Sequence, residues 1–205
     1  MVFGPERLLG GIAFSLGLIL VVVGGAELFT GNNLIVMAWA DGKIKTIQLL
    51  RNWFFVYLGN FVGALATALI VSWSGIFELG GGNVGETAVR IADYKVNIPN
   101  DQAFFRGVLC NVLVCLAIWL CFAAHTVTSK ILAIVFPISA FVALGFEHSI
   151  ANMYLIPAGM LAGAAHVSVF GFFENLLFVT LGNIVGGSML VAIVYWLAYI
   201  KFTKT

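Results

Sequence analysis

The stretch ELFTGNN at residues 27–33 interrupts an apolar segment over residues 8–40, and the stretch EHSIANM at residues 147–153 interrupts another over residues 131–160. A helix needs about 20 apolar residues to cross the hydrocarbon core of a membrane. Each segment is too long for one plain crossing and too short for two. We therefore predict two broken helices, whose irregular backbone is enclosed by protein or lines a wet cavity. Paired broken helices in the two halves of a membrane protein indicate a site for solute passage where they meet.

Composition places the chain in a lipid bilayer. It is 61% hydrophobic and 9% charged, whereas soluble domains are about 45–50% apolar and about 25% charged. The net charge of +1, without a basic patch or an RNA-binding motif, gives no reason to expect a nucleic-acid partner. Cys110, Cys115 and Cys121 lie in one apolar stretch without zinc-site spacing, so we predict buried small side chains, no metal site and no cofactor.

The charges between the apolar segments predict the orientation. We expect spans over residues 8–40, 52–74, 103–124, 131–160 and 173–200. Residues 41–51, residues 125–130 and the tail with Lys201 and Lys204 are basic, whereas residues 75–102 hold more acidic than basic side chains. Lysine and arginine favour the cytoplasmic side. The basic segments are therefore predicted to be cytoplasmic, and residues 75–102, residues 161–172 and Met1 to lie outside.

An internal repeat relates the two halves. LGNFVG at residues 58–63 returns as LGNIVG at residues 181–186, 123 positions later, and the two interrupting stretches are 120 positions apart. In the predicted orientation the copies run in opposite directions, which is typical of inverted-repeat transporters and channels. We predict an all-α integral membrane protein with one transmembrane domain, residues 1–205. Its first repeat is partial (1–75) and its second is residues 103–200. Span 103–124 has no counterpart in the first repeat, so the complete fold is expected to have a further helix before Met1.

The broken helices offer a solute partial charges and a few polar groups. New half-helices are expected near Asn33 and Ser149, and the free N–H groups at a helix start favour anions. Residues 8–40 and 131–160 contain no lysine or arginine. A central anion would therefore meet dipoles, hydroxyls and the imidazole of His148, which suits passage better than trapping.

Several polar side chains are candidates for this central site. An ionisable group inside a membrane indicates function, and imidazole changes its charge most easily near neutral pH, so we single out His148. The alternative is that His148 is a neutral histidine that forms a hydrogen bond inside the helix bundle. Thr30 offers a hydroxyl in the other break, or caps a helix near Asn33. Asn111 and Asn183 are candidate partners of the two loops on the side of the pathway, and Asn60 is expected to bond across helices or to the freed backbone.

Two carboxylates and three apolar residues complete the set of candidates. Glu27 and Glu147 end their half-helices, where negative charge is disfavoured, so each is expected to be protonated or tied to backbone amides of its own loop. Phe14 and Leu18 share a helix face, and Phe141 lies about two turns before His148. These three are candidate hydrophobic constrictions on either side of the site.

The motifs resemble those of the formate/nitrite transporter family. The resemblance rests on ELFT at residues 27–30, CN at 110–111 with LVCLA at 113–117, GFEHSIANM at 145–153 and GN at 182–183. It implies an aquaporin-like protomer of six helices, a homopentamer with one pathway per protomer, and a place in the inner (cytoplasmic) membrane of a prokaryote. It also implies passive or proton-coupled passage of small monovalent anions without ATP, and therefore no enzymatic activity.

The resemblance also implies roles for individual residues. His148 corresponds to the pathway histidine, with Thr30, Asn111 and Asn183 nearby and Leu28 close to the centre. Phe14 and Leu18 correspond to a cytoplasmic constriction, Phe141 to a periplasmic one, and Lys95 to an outward lysine that attracts anions. A proton donated near His148 would let the neutral acid cross the apolar constrictions.

Alternatives remain both for the substrate and for the class of protein. Formate is the substrate we expect, with nitrite or hydrosulfide as the alternative within the family. A channel for water or small neutral solutes could share the fold, but its paired Asn-Pro-Ala boxes are missing. Two other classes of protein are weaker alternatives, because each needs a site that the sequence does not indicate. A haem-binding redox subunit would need histidines that face each other. An intramembrane enzyme would need a nucleophile or a set of metal ligands around His148.

Overall fold

The structure is a computed structural model that describes residues 3–202. The predicted positions of Met1 and Lys204 therefore concern residues outside the described range. Within it the protein is helical and has no strand, as predicted. The helices are α1 (Phe3–Gly24), α2 (Val36–Ala40), α3 (Thr46–Trp73), α4 (Asn83–Val96), α5 (Asn100–Ala123), α6 (Val127–Ala143), α7 (Ser149–Leu161) and α8 (Val169–Ile184).

Two short turns and a continuation of α8 complete the described chain path. Short 3₁₀ turns cover Gly31–Ile35 and Ile76–Glu78. α8 continues without interruption through π-helical residues Val185–Ile193, three α-helical residues and a second π-helical segment, Leu197–Lys201. The last helix is therefore one long rod, Val169–Lys201, in which the hydrogen-bonding pattern changes but the direction is kept.

Within residues 3–202, four helices are long and apolar enough to cross a membrane. They are Gly4–Gly24, Thr46–Trp73, Asn100–Ala123 and Val169–Lys201, and α6 and α7 are shorter apolar helices. Each predicted span overlaps one of these long helices or, over residues 131–160, the pair α6 and α7, and most of the helices start three to six residues before the predicted bounds. The prediction of an all-α membrane protein is confirmed.

Both predicted helix breaks are present, and they begin in the same way. α1 ends just before Gly25, which has φ 76°, and α6 ends shortly before Gly145, which has φ 72°. This left-handed conformation is one that glycine adopts without a steric cost. In both breaks the amide after the glycine donates to the carbonyl five positions earlier, at 3.0 Å, as in the common glycine-ended helix terminus. Helix resumes at Gly31 in the first break and at Ser149 in the second.

The segment over residues 75–102, predicted as an outward connection between spans, contains a further helix. α4 packs on α7 and α8. Ala92 is fully buried on its inner face, whereas Arg90 and Asp93 are exposed. With 14 residues and several charges, α4 is too short and too polar to be recognised as a span.

Small residues let the central helices approach closely. α5 lies between α6 and α8. A Cβ at Gly182 of α8 would collide with the carbonyl oxygen of Phe104 in α5, and a Cβ at Gly107 of α5 would lie 2.8 Å from the carbonyl oxygen of Val179. Membrane helices associate through such contacts because lipid gives little hydrophobic drive between them. This packing places the side-chain amides of Asn111 in α5 and Asn183 in α8 against the two breaks.

Candidate functional site

The first break is held by amide side chains from α3 and from its own loop. Asn60 of α3 accepts a hydrogen bond from the backbone N–H of Phe29 at 2.9 Å and donates to the carbonyl of Glu27 at 3.0 Å. Asn32 donates to the carboxylate of Glu27 at 2.5 Å and to the side-chain carbonyl of Asn52 at 2.9 Å. Two of the backbone groups freed by the break, the N–H of Phe29 and the carbonyl of Glu27, are thus satisfied from within the protein.

The second break is held by the same arrangement from the other half of the chain. Asn183 of α8 accepts from the N–H of Ser149 at 2.9 Å and donates to the carbonyl of Glu147 at 3.0 Å. Asn152 donates to the carboxylate of Glu147 at 2.7 Å and to the side-chain carbonyl of Asn175 at 2.7 Å. The partners lie 120 or 123 positions after those of the first break, so the sequence repeat also relates these hydrogen bonds.

One amide of α5 joins the two breaks. The buried Asn111 donates through Nδ2 to the carbonyl of Asn183 at 2.7 Å, to the side chain of Asn33 at 3.0 Å and to the carbonyl of Thr30 at 3.2 Å. Asn183 also donates to the carbonyl of Gly107 at 2.8 Å. Asn111 and Asn183 therefore lie behind the breaks and fix their positions. Both are fully buried, and neither lines the cavities around His148.

His148 and Thr30 meet where the two breaks converge. Thr30 Oγ1 lies 3.0 Å from His148 Nε2, and the N–H of Ala151 donates to His148 Nδ1 at 3.1 Å. Because Nδ1 accepts a hydrogen bond, the neutral ring carries its proton on Nε2 and donates to Thr30. The hydroxyl hydrogen of Thr30 then remains available to an acceptor. The ring of His148 stacks on Phe141, with the ring centroids 6.0 Å apart.

Three cavities follow one another through the protein, and the middle one lies beside His148. An outer cavity of about 340 Å³ lies between α1, α4, α6 and α7, a central chamber of about 240 Å³ lies beside His148, and an inner cavity of about 570 Å³ extends to Lys130. We call the cavity beside α4 outer because the charge distribution predicts that side to face outward. Phe14, Phe141 and His148 line both the outer cavity and the chamber. Val21 and Leu28 line both the chamber and the inner cavity.

The position of Phe14 corrects the sequence-based expectation. Its ring packs edge to face on Phe141, with the centroids 5.7 Å apart, so both aromatic residues separate the outer cavity from the chamber. The assignment of Phe14 together with Leu18 to a cytoplasmic constriction is therefore wrong for Phe14. Phe14 lies one turn nearer the outward start of α1, which lets it reach α6. Leu18 lines only the chamber.

An ion pair closes the outer side of the second break. Lys95 Nζ donates to Glu147 Oε1 at 3.0 Å and to Oε2 at 2.9 Å. Glu147 is 2% exposed, and a carboxylate so deeply buried needs a cation and hydrogen bonds. Glu147 is held by the side chains of Lys95 and of Asn152 in α7, whereas the sequence led us to expect protonation or backbone amides of its own loop, and Lys95 compensates the charge.

Sequence reasoning missed several residues that line these cavities, among them Val21, Arg7 and Arg90. Val21 lies on the same α1 face as Phe14 and Leu18, at helical spacing, so extending that face by one turn would have identified it. Arg7 and Arg90 line the outer cavity. No motif marks them, because they come from helices far apart in the sequence.

Comparisons with known proteins agree with this architecture. Residues 2–197 match the family described as "Formate/nitrite transporter". The chain is 43% identical to the formate channel FocA of Escherichia coli K12, over 98% of this chain and 77% of that protein. It is 43% identical to a probable formate transporter of Methanothermobacter thermautotrophicus, over 97% and 77%.

A solved structure is similar over almost the whole chain. A pentameric formate channel with formate bound superposes with a TM-score of 0.90 at 42% identity, over 98% of this chain and 86% of that one. The match covers both breaks and the helices that hold them. The protein is therefore a member of the formate/nitrite transporter family.

Proposed function

We propose that this protein carries small monovalent anions, formate in particular, through its three cavities, and that it is a channel or carrier and not an enzyme. The observation that supports this is the series of cavities separated by two apolar constrictions, with the His148–Thr30 pair at the chamber. Two relatives named as formate channels are 43% and 41% identical to it over the aligned residues. Nitrite is the second candidate, because the family description includes it.

His148 and Thr30 lower the cost of crossing the constrictions. A bare charge between apolar rings and without water is very costly. The N–H of His148 polarises the hydroxyl of Thr30, which can donate to an anion in the chamber. A hydrogen bond, or a proton transferred along this pair, spreads or removes the charge of formate before it passes Phe14 and Phe141 on one side or Leu28 on the other.

The proposed assembly is a homopentamer in the inner membrane of a prokaryote. The solved relative is a pentameric formate channel. Many large apolar side chains of α3 face away from this protomer; among them are Phe54, Phe55, Leu58, Val62 and Ile70. A membrane protein can cover such a face with lipid or with neighbouring copies.

Uptake of labelled formate and of nitrite into proteoliposomes tests the proposal. We expect formate uptake that increases as the pH falls, since protonation assists the crossing. In His148→Phe, formate uptake should fall about tenfold or more and lose this pH dependence. The matched control is His166→Phe, since His166 is exposed on the outer side. Wild-type uptake in His148→Phe would refute the role of His148, and the ratio of the two anions identifies the substrate.

A further inference from the structure

We propose that Tyr57 of α3 and Thr180 of α8, which we call the axial pair, are positioning residues for the central site. Together they hold Thr30 within hydrogen-bond distance of His148. Neither residue of the pair lines the outer cavity, the chamber or the inner cavity, so both act through their neighbours. The inference deepens the proposed function and rests on it in one respect, because the Thr30–His148 bond matters for transport only if the anion passes there.

The two residues of the axial pair occupy the same place in the two halves of the chain. Thr180 follows Tyr57 by 123 positions, the offset that relates LGNFVG to LGNIVG. Tyr57 Oη lies 3.0 Å from Thr180 Oγ1. In an inverted repeat a residue can touch its own counterpart only near the pseudo-twofold axis, because the rotation carries every other position away from itself. The hydrogen bond therefore lies on the axis that relates the two halves.

The axial pair is one helical turn from the two amides that hold the breaks. Asn60 follows Tyr57 by three positions, and Asn183 follows Thr180 by three. Side chains three positions apart are neighbours on a helix surface. The hydrogen bond of the axial pair thus joins α3 to α8 beside the amide that fixes the first break and the amide that fixes the second.

Little else fixes the distance between α3 and α8 at this level. α3 packs on α7, α8 packs on α5, and an apolar groove of about 410 Å³ opens between α3 and α8 beside the axial pair. The ring of Phe61 in α3 stacks on Phe172 in α8 with the centroids 6.2 Å apart. Stacked rings tolerate a range of distances, whereas a hydrogen bond does not. The hydroxyl pair is therefore the contact that sets this distance.

The ring of Tyr57 also holds Phe29, the residue directly before Thr30. The rings of Tyr57 and Phe29 meet edge to face with the centroids 4.9 Å apart. Trp53 packs on Phe29 in the same way at 5.8 Å, and Phe29 is 3% exposed. With its ring packed on two others, Phe29 leaves Thr30 little freedom to move.

The bond that these contacts position tolerates only a small displacement. Thr30 Oγ1 lies 3.0 Å from His148 Nε2, and a hydrogen bond is lost by about 3.6 Å. Thr30 moves with α3, and His148 moves with α8 through Asn183. Asn111 ties the breaks together from α5, and the axial pair adds the connection through α3. A shift of about 0.6 Å between α3 and α8 would break the bond.

The proton on His148 Nε2 reports this bond directly. The chain has three histidines, so solid-state NMR of the protein in vesicles with ¹⁵N-labelled histidine gives few signals, and His148→Phe identifies the one of His148. We expect the Nε2–H proton signal to move to lower frequency in Thr180→Val, because the bond to Thr30 becomes longer. Tyr57→Phe removes the other hydroxyl and should have the same effect, which makes it a second variant if the first does not fold. Thr180→Ser should retain the wild-type signal.

The matched control is Thr67→Val, the same chemical change on α3. Thr67 is exposed, and its hydroxyl donates to the carbonyl of Gly63 in its own helix, so the His148 signal should stay unchanged. An unmoved His148 signal in both Thr180→Val and Tyr57→Phe overturns the inference. An equal shift in Thr67→Val overturns it as well.

Formate uptake tests whether the axial pair acts through Thr30. We expect Thr180→Val to lower the maximal uptake rate about fivefold. In the Thr30→Val background it should have no further effect, because the bond that it positions is already absent. Equal losses in the two backgrounds would show that Thr180 supports the fold without positioning Thr30, and would overturn the inference.

The NMR measurement needs no transport, so the two proposals can fail separately. A shifted His148 signal in the variants, with no anion flux through the wild-type protein, would refute the proposed function alone. Flux through the wild-type protein, with an unmoved signal in the variants, would refute the role of the axial pair alone.

Discussion

The hydrogen bond between Thr30 and His148 defines which groups can act on a solute. His148 donates from Nε2 because its Nδ1 is occupied by the N–H of Ala151, so Thr30 is the acceptor in that bond and a donor to the next partner. In this arrangement the hydrogen bond from the imidazole polarises the hydroxyl of Thr30, which becomes a better donor to its next partner. Neither ring nitrogen is spare, which explains why a histidine can lie in an apolar chamber.

Replacing Thr30 tests this relay. Thr30→Val keeps the shape but leaves the His148 N–H without its acceptor and removes the donor to the solute. We expect formate uptake to fall about tenfold and stability to fall by about 1–3 kcal/mol. Thr30→Ser keeps the hydroxyl and should retain most of the uptake. Initial uptake rates and thermal unfolding in detergent check both effects. Equal rates in the valine and serine variants would contradict the relay.

The ion pair of Lys95 and Glu147 predicts a rescue. Lys95→Met leaves the carboxylate of Glu147 buried and unpaired, which costs about 3–5 kcal/mol in comparable sites. The double variant Lys95→Met/Glu147→Gln removes the charge and should recover most of that loss, because the carbonyl of the new amide can still accept from Asn152. Thermal unfolding of the two proteins measures the difference. A double variant that is no more stable than Lys95→Met would contradict the claim that Lys95 stabilises the protein by compensating the charge of Glu147.

The sequence was informative about residues in the breaks and less so about residues that meet across helices. His148, Thr30 and Glu147 were recognisable because polar groups are rare in apolar segments. The contact of Phe14 with Phe141 was not, because it depends on how α1 and α6 are rotated about their axes. A spacing of four residues says that Phe14 and Leu18 share a face, but it does not say which cavity each one reaches.

At the scale of elements, α1 and α6 approach through a glycine. A Cβ at Gly11 would lie 2.8 Å from the Cα of Ser139, whereas a Cβ at the neighbouring Gly10 meets nothing within 4 Å. Gly11→Ala should therefore push the helices apart and cost about 1–3 kcal/mol. Gly10→Ala should be neutral or slightly stabilising, since alanine is the better helix former. Unfolding temperatures compare the two, and equal values would contradict the close packing.

The elements differ in how well a sequence can predict them. The long helices follow from apolar length, and the breaks from polar clusters beside a glycine. α4 escapes both criteria, since its charged face lies at the surface and its apolar face becomes visible only once α7 packs on it. Hydrogen bonds such as those of Asn60 and Asn183 could be expected from the repeat, but their partners depend on the loop path.

At the scale of the whole molecule, the proposed pentamer is the first property to measure. The apolar face of α3 is available to neighbouring copies, and covering it would remove large side chains from lipid. We expect native mass spectrometry in mild detergent to find five copies of the chain. A monomer under conditions in which formate transport is retained would contradict the pentamer and leave the pathway within one protomer.

The junction at Asn111 has a consequence for how the molecule works. One amide is bonded to the first break and to α8, and α8 in turn holds the second break. A carrier that rocks one half against the other would have to release these buried bonds in every cycle. These bonds tie the two breaks together through α5 and α8. For the proposed passage of anions we therefore expect a fixed backbone, with side chains such as Phe14 and Leu28 moving aside to let the solute through.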